Sequence, residues 1–243
     1  KAIVQLADAL KEGKNLSDTN VDGCCYVRKS LENIGDYIEI PSCEEVQTDK
    51  RKYAEATKLQ FDNQDPITSK PLVQKHYDRY LVQNKPMMPL NTKELDSVYA
   101  LPYMRTWHPM YDKDGGVPAI EEVRFSVIHN RGCFGGCNFC ALAFHQGRFV
   151  TSRSRESIIA EAKILTADPR FKGYIHDVGG PTANFRAPAC EKQLTKGACV
   201  NKQCLFPTPC KNMKVDHKDY LKLLRKLREL PNVKKVSADT TSS

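Results

Sequence analysis

No stretch of this 243-residue sequence approaches the roughly 18 to 20 consecutive apolar residues that a membrane-spanning helix needs. The first ten residues also lack the apolar block and cleavage site of a secretory signal, so a soluble, cytoplasmic chain with no membrane partner is expected. Missing too are a Ser-His-Asp arrangement, a phosphate-binding P-loop and a Rossmann glycine fingerprint. The sequence therefore offers no support for triad hydrolysis, P-loop nucleotide chemistry or dinucleotide-dependent hydride transfer. Charge of one sign is not concentrated either: 37 Lys and Arg against 29 Asp and Glu leave +8, spread along the chain. That excess is compatible with an anionic partner, nucleic acid included, and equally with an ordinary solvated surface.

Cysteine, by contrast, is abundant, with ten in the chain. Stable disulfides are rare in a reducing compartment, so clustered cysteines read as metal ligands before they read as crosslinks. Seven fall in two clusters, while Cys24, Cys25 and Cys43 stand apart and read as ordinary small, apolar thiols.

The stretch Arg131-Gly-Cys-Phe-Gly-Gly-Cys-Asn-Phe-Cys-Ala141 sets Cys133, Cys137 and Cys140 in a C-x3-C-x2-C array on a glycine-rich turn. Three thiolates satisfy three irons of a [4Fe–4S] cube and leave the fourth without a protein ligand, whereas cubes that only carry electrons use four cysteines. That fourth iron can bind a small molecule. Gly132, Gly135 and Gly136 let the backbone wrap tightly round an inorganic core, since they reach φ > 0 without a Cβ clash. The alternative is a structural zinc with His129 or His145 as fourth ligand, although such sites favour paired C-x2-4-C hooks over one three-cysteine loop.

With Phe139 just before its last cysteine, the motif resembles the signature of the radical S-adenosylmethionine (SAM) enzymes. Three neighbouring stretches narrow the match: Leu101-Pro-Tyr-Met-Arg-Thr-Trp-His-Pro109, Cys140-Ala-Leu-Ala-Phe-His-Gln-Gly-Arg148 and Gly173-Tyr-Ile-His-Asp-Val-Gly-Gly-Pro-Thr-Ala-Asn-Phe-Arg186. Together they are similar to the YgiQ-type branch, and the resemblance runs over nearly the whole chain, weakening after Val236. It implies a partial barrel of about six βα units, a smaller relative of the eight-unit barrel. It also implies a [4Fe–4S] cluster on Cys133, Cys137 and Cys140, whose fourth iron takes the amino and carboxylate groups of SAM. An electron from the reduced cluster would then cleave the sulfonium to methionine and a 5′-deoxyadenosyl radical, which removes a hydrogen atom from a substrate of unknown identity. A reductant such as flavodoxin or ferredoxin is the partner so implied.

By the same resemblance, Phe139 lies along the adenine and the backbone of Gly179, Gly180 and Pro181 meets the amino group of SAM. Pro181 stands where the family's GGE-type element has Glu, so a backbone contact survives through the proline C=O but a side-chain role does not. Without the family, two glycines at a strand end read as a turn. The family's N-terminal region is similar to cobalamin-binding modules, but no D-x-H-x-x-G motif occurs here and no cobalamin is implied.

The chain starts at Lys1 already inside an amphipathic helix carrying Ile3, Leu6 and Leu10, and further sequence upstream is expected. Residues 23–28 and 37–41 alternate as a short hairpin or pair of edge strands. Residues 42–63 read as one helix, capped by Ser42 with Glu45 three residues on. Residues 72–75 and 79–83 read as a hairpin. A connector comes next, whose Tyr99, Tyr103, Trp107 and Tyr111 are expected to pack against the succeeding domain. An N-terminal α+β segment and connector over 1–122 and an incomplete radical SAM partial barrel over 123–243 result.

In that second part, strand 123–128 leads into the cysteine loop, where an α/β barrel places its chemistry. Ser154 caps a helix to about Ala167, with Ile158, Ile159, Ala162 and Leu165 on one face. A strand at 174–178 ends in Gly179-Gly180, and a helix opening at Asp216 or His217 turns Tyr220, Leu221, Leu224, Leu227 and Leu230 inward before Pro231. A third strand starts at residue 233, yet 237–243 lack the apolar content of a buried parallel strand. The expected fold class is α/β, a truncated partial (β/α) barrel preceded by a smaller α+β segment, and inactive alone.

Residues 181–215 form a long βα insertion containing Cys190, Cys199, Cys204 and Cys210. An auxiliary [4Fe–4S] cluster, a structural zinc, or redox-active thiols all fit, because spacing alone does not choose the metal. His145, Gln146 and Arg148 after the first cluster, and His176 and Asp177 beside the glycines, form a second tier for SAM or substrate contact; a strand histidine also serves as a hydrogen-bonded structural residue. Two other functions stay open at this point: an RNA-modifying, methylthiotransferase-like enzyme, and a non-catalytic zinc-stabilised interaction module.

Overall fold

The computed structural model describes residues 1–16, 19–137, 139–181 and 185–238. The chain divides into two compact units, one formed by Lys1–Pro89 with Glu191–Lys202, the other by Leu90–Cys190 with Gln203–Ser243. Residues 90–122 thus share a unit with the cysteine-loop segment. Both units are α/β, with mixed sheets.

In the first unit, α1 (Ala2–Lys11) precedes a four-stranded sheet of order β1-β4-β3-β2. The strands are β1 (Cys25–Arg28), β2 (Ile38–Ile40), β3 (Leu72–His76) and β4 (Arg79–Gln83). The expected β3–β4 hairpin is present, with Val73 opposite Val82 and both wholly buried. Of the two readings for 23–28 and 37–41, a hairpin or a pair of edge strands, the second holds: β1 joins β4 antiparallel and β2 joins β3 in parallel, at opposite edges of the sheet. A hairpin closed through Tyr77 and Asp78 forms locally, and the other two strands take the edges it leaves.

The single helix expected over 42–63 is two, α2 (Cys43–Thr48) and α3 (Lys50–Asp62). Ser42 and Glu45 form the anticipated capping box, but Asp49 turns extended (φ −122°, ψ 114°) and its carboxylate accepts the Arg51 N–H. Aspartate competes well for that capping role and poorly for a helix interior. Ile40, Ala56 and Leu72 form the small core under these helices, with Ile38, Val46 and Leu59 against it.

Residues 191–202, including α8 (Glu191–Lys196), belong to this unit and are held by one buried carboxylate. Asp65 Oδ1 accepts the N–H groups of Ile67 and Thr68 at 2.9 and 3.0 Å, and Oδ2 accepts that of Ala198 at 2.6 Å. A Cβ on neighbouring Gly197 (φ +75°) would fall 2.4 Å from Asp65 Oδ1, so glycine is required by both the turn and the close approach.

The second unit contains α4 (Thr92–Tyr99), capped by an Asn91–Glu94 box, and the short α5 (Ile120–Val123). The strand expected from 123 therefore begins only at β5 (Ser126–Ile128). Here β5 pairs in parallel with β9 (Asp177–Gly179), and β8 (Tyr174–Ile175) in parallel with β10 (Lys235–Val236). One residue separates β8 from β9: the His176 N–H bonds to Phe125 O, and the Val178 N–H to Ser237 O. Residues 174–179 therefore lie between 125–129 and 235–237, linked by crossovers that carry α7 (Arg155–Thr166) and α9 (Lys218–Arg228). Most of the apolar-poor stretch 237–243 falls outside the described residues.

Ile158, Ala162 and Leu165 of α7 and Tyr220, Leu223 and Leu227 of α9 close over Phe125, Val127, Ile175 and Val178. On α9, Tyr220, Leu224, Leu227 and Leu230 face the core as expected, but Leu223, fully buried, takes the place expected of Leu221, which is exposed. Trp107 packs as anticipated. Its Nε1–H donates to Asp112 at 2.8 Å and Arg124 stacks over its ring, while Tyr103 and Tyr111 stay exposed.

Candidate cofactor site

At the C-terminal end of β5 the chain runs through β6 (Asn130–Arg131), which pairs antiparallel with β7 (Thr151–Ser152), and then enters the cysteine loop. The loop closes on α6 (Leu142–Gln146). Several contacts shape it. The Cys133 N–H donates to Gly147 O, the Gly132 N–H to Gln146 Oε1 and the Cys140 N–H to Cys137 O. Phe134, fully buried, anchors the loop in a small core with Val150 and Ala189, against which Phe185, Cys204 and Met213 pack. A Cβ on Gly132 (φ +83°) would lie 1.7 Å from Phe149 O, so backbone passes backbone there without room for any side chain.

Of the three sulfurs, Cys137 is exposed and Cys133 and Cys140 are partly so. The Gly135 N–H donates to Cys133 Sγ at 3.4 Å, and a Cβ on Gly135 would lie 3.3 Å from Cys133 Sγ and 3.8 Å from Cys137 Sγ. The missing side chain thus leaves room beside both sulfurs, and an amide directed at sulfur is one of the means by which proteins tune thiolate-bound iron. Among the described residues no three His, Cys, Asp or Glu side chains gather about a point suited to a single metal ion. Phe139 is 93% exposed.

Gly179 and Gly180 follow β9 at the same end of the parallel strands. A Cβ on Gly180 would fall 1.5 Å from Asn130 Oδ1, so the Asn130 amide occupies the space a side chain would fill. Asn130 is 1% exposed; its Nδ2–H donates to Phe185 O at 2.5 Å, which sets the orientation of the amide because a carbonyl only accepts. Its Oδ1 is buried and has no hydrogen-bond partner. An orphaned acceptor beside two glycines, next to a loop of three cysteines, has the chemistry to meet a group that carries N–H donors. The residues present therefore fit both a thiolate-bound cluster and a cationic amino group beside it.

The second tier is scattered. Gln146 accepts the Gly132 N–H within the loop, Arg148 is buried, and His145 lies in the last turn of α6. His176 is exposed and interrupts the β8–β9 strand, its ring 6.1 Å from that of Phe125. Burial and, to a lesser degree, Asp177 raise the Tyr220 hydroxyl to about 12, while Arg186 opposes them. Tyr220 donates to Val178 O at 2.7 Å.

The second cysteine array is divided: Cys199 belongs to the first compact unit, Cys190, Cys204 and Cys210 to the second. Lys192 Nζ lies 3.6 Å from Cys199 Sγ, and the Cys210 N–H donates to Cys204 O. None of the ten cysteines is in a disulfide. Residues that the sequence left unmarked are Asn130, Phe134 and Gln203, whose amide covers Gly136. Position at the C-terminal end of the first parallel strand was the available signal for Asn130.

The second unit is thus a parallel βαβ array with a three-cysteine loop at its C-terminal edge. The chain belongs to the radical SAM family: the family described as Radical SAM N-terminal matches residues 1–126. Within it, the YgiQ-type resemblance is borne out. The chain is 58% identical over 237 residues to a UPF0313 protein of Clostridium botulinum and 57% identical over 238 residues to a UPF0313 protein of Clostridium perfringens. Each alignment covers 97% of this chain but only 37% and 36% of those relatives, so the chain spans little more than a third of their length.

Proposed function

We propose that Cys133, Cys137 and Cys140 hold a [4Fe–4S] cluster with one open iron, and that the protein binds SAM there for reductive cleavage to a 5′-deoxyadenosyl radical. The observation that carries the reading is the single loop bearing three thiolates at the C-terminal end of β5, with the Gly135 amide turned to Cys133 sulfur. The two βαβ crossovers support a partial (β/α) barrel of which this chain contributes β5, β8–β9 and β10. Once loaded, the cluster supplies the electron that breaks the sulfonium bond. The chain's own residues bind and orient. Asn130, packed against Gly180, fixes the strand ends beside the cysteine loop, the backbone of Gly179, Gly180 and Pro181 would meet the methionyl ammonium, and exposed Phe139 offers a face for the adenine. Membership of the radical SAM family supports an enzyme, and a cytoplasmic setting is consistent with thiolate ligands that oxidation would destroy.

The test is anaerobic reconstitution of the full-length protein with iron and sulfide, then reduction with SAM and chromatographic assay for 5′-deoxyadenosine. Wild type yields it, and Cys133→Ser, Cys137→Ser and Cys140→Ser each lose both iron and product. An intact cluster that yields no 5′-deoxyadenosine would end this reading. A colourless protein that binds zinc instead would favour the non-catalytic module.

A further inference from the structure

We propose that the second compact unit carries a binding site for a small organic anion, a carboxylate or phosphate on an aromatic body, in the cavity lined by Tyr99, Tyr103, Arg105 and Arg131. The cavity measures about 580 Å³, within the roughly 300–1,000 Å³ range of small-molecule sites. Leu95, Val98 and the two tyrosines give it an apolar, aromatic wall. Its charge is unbalanced. Among the described residues Glu161 is the one carboxylate in the wall, and its Oε2 is already taken by Arg153 Nη1 at 2.5 Å.

The remaining oxygen of Glu161 lies 3.7 Å from Arg105 Nε, beyond hydrogen-bonding reach, and that buried Nε has no hydrogen-bond partner. Arg105 Nη1 donates to Tyr103 O at 3.1 Å. Arg131 is exposed and pairs with no carboxylate among the described residues. The guanidinium of Arg153 stacks 3.9 Å from the Tyr99 ring. The wall thus carries two guanidiniums, Arg105 and Arg131, against one carboxylate that Arg153 also engages and that Arg105 meets only as an ion pair at 3.7 Å, and planar guanidinium groups are suited to bidentate capture of carboxylate or phosphate.

Backbone geometry gives a second, independent reason. Arg105 sits at φ +52°, a region that L residues with long side chains rarely adopt. Strain of this kind persists where the surrounding structure holds a side chain in a required position. Arg105 lies within residues 101–109, a motif that SAM binding leaves without a role. Arg131 is two residues before Cys133, so the same strand end that leads into the cysteine loop supplies a wall of the cavity. The site does not depend on a cluster being bound.

Phenyl phosphate, benzoate and benzyl alcohol serve as probes for the full-length protein, with affinities measured by ligand-observed NMR titration at two salt concentrations. Either anion or both bind and weaken with salt, while the neutral alcohol binds at least about tenfold more weakly, as expected where a charge-assisted bond is lost. A preference for phenyl phosphate over benzoate assigns the site to phosphate monoesters, and the reverse to carboxylates. Arg131→Gln weakens the preferred anion about tenfold, Arg105→Gln does the same, and Lys222→Gln on α9 changes nothing. If Arg105→Gln fails to fold, exposed Arg131 decides the matter. Equal binding of alcohol and anions, no binding of either anion, or full affinity in Arg131→Gln overturns the proposal.

Discussion

Gly180 and Asn130 form the tightest residue-level pair beside the candidate site, because the amide of one fills the volume a side chain on the other would need. Gly180→Ala is expected to cost about 1–3 kcal/mol, as small-to-large changes in packed sites do, read as a lowered denaturant midpoint with unchanged slope. Adding Asn130→Ala removes the obstacle, so the double variant should be more stable than additivity of the single changes predicts. The chemistry at Tyr220 gives a pH signature. Burial first, then Asp177, push its hydroxyl up to about 12, so the neutral folded form is favoured over an unfolded chain that ionises near the ordinary value of 10.0. Stability from this group is fully present below pH ~10 and is lost as pH rises towards ~12. Tyr220→Phe should flatten that alkaline limb in denaturant titrations, while costing about 1 kcal/mol at neutral pH through the lost bond to Val178. At this scale the sequence singled out the three cysteines by their spacing, and the structure sets them on one loop following β6. The sequence was not legible for Asn130 or Arg105, whose importance comes from their neighbours in space.

Among the elements, the segment carrying α8 depends on Asp65. Asp65→Ala removes the acceptor for three backbone N–H groups, and is expected to raise amide exchange over 191–202 and near residues 67–68 well before the β-strands lose protection. If exchange in 191–202 stays at the wild-type rate, the carboxylate is not what holds it. The helices show where periodicity suffices and where it does not. Helix α7 offers one apolar stripe, so its buried face was readable from spacing alone. In α9 Leu221, Leu223, Leu224 and Leu227 crowd the sequence, and only packing against Val178 and Ile175 selects Leu223 over Leu221. Asp49 ended a helix that the apolar pattern would have continued, because a capping carboxylate satisfies otherwise unpaired N–H groups. Alternation marked β1 and β2 as strands but carried no information about partners, which were supplied by the later β3–β4 hairpin.

For the molecule as a whole, each compact unit has its own core. Leu223→Ala, at a fully buried position, should cost roughly 2–5 kcal/mol. Hydrogen exchange should report that loss over residues 125–190 and 203–236 and leave protection in β1–β4 and 191–202 near its wild-type level. Uniform loss across both units would mean that they unfold as one. The alternation of strand and helix patterns from residue 123 and the family resemblance pointed to an α/β chain, and the elements observed agree with that, but the division of the chain was hidden because it involves a contact between Asp65 and Ala198, 133 positions apart. That contact also sets an order of events during synthesis. Domains commonly fold as they leave the ribosome, N-terminal first; here the earlier unit is completed late, because Asp65 Oδ2 meets the Ala198 N–H only after 133 further positions, most of the later unit among them, have been translated.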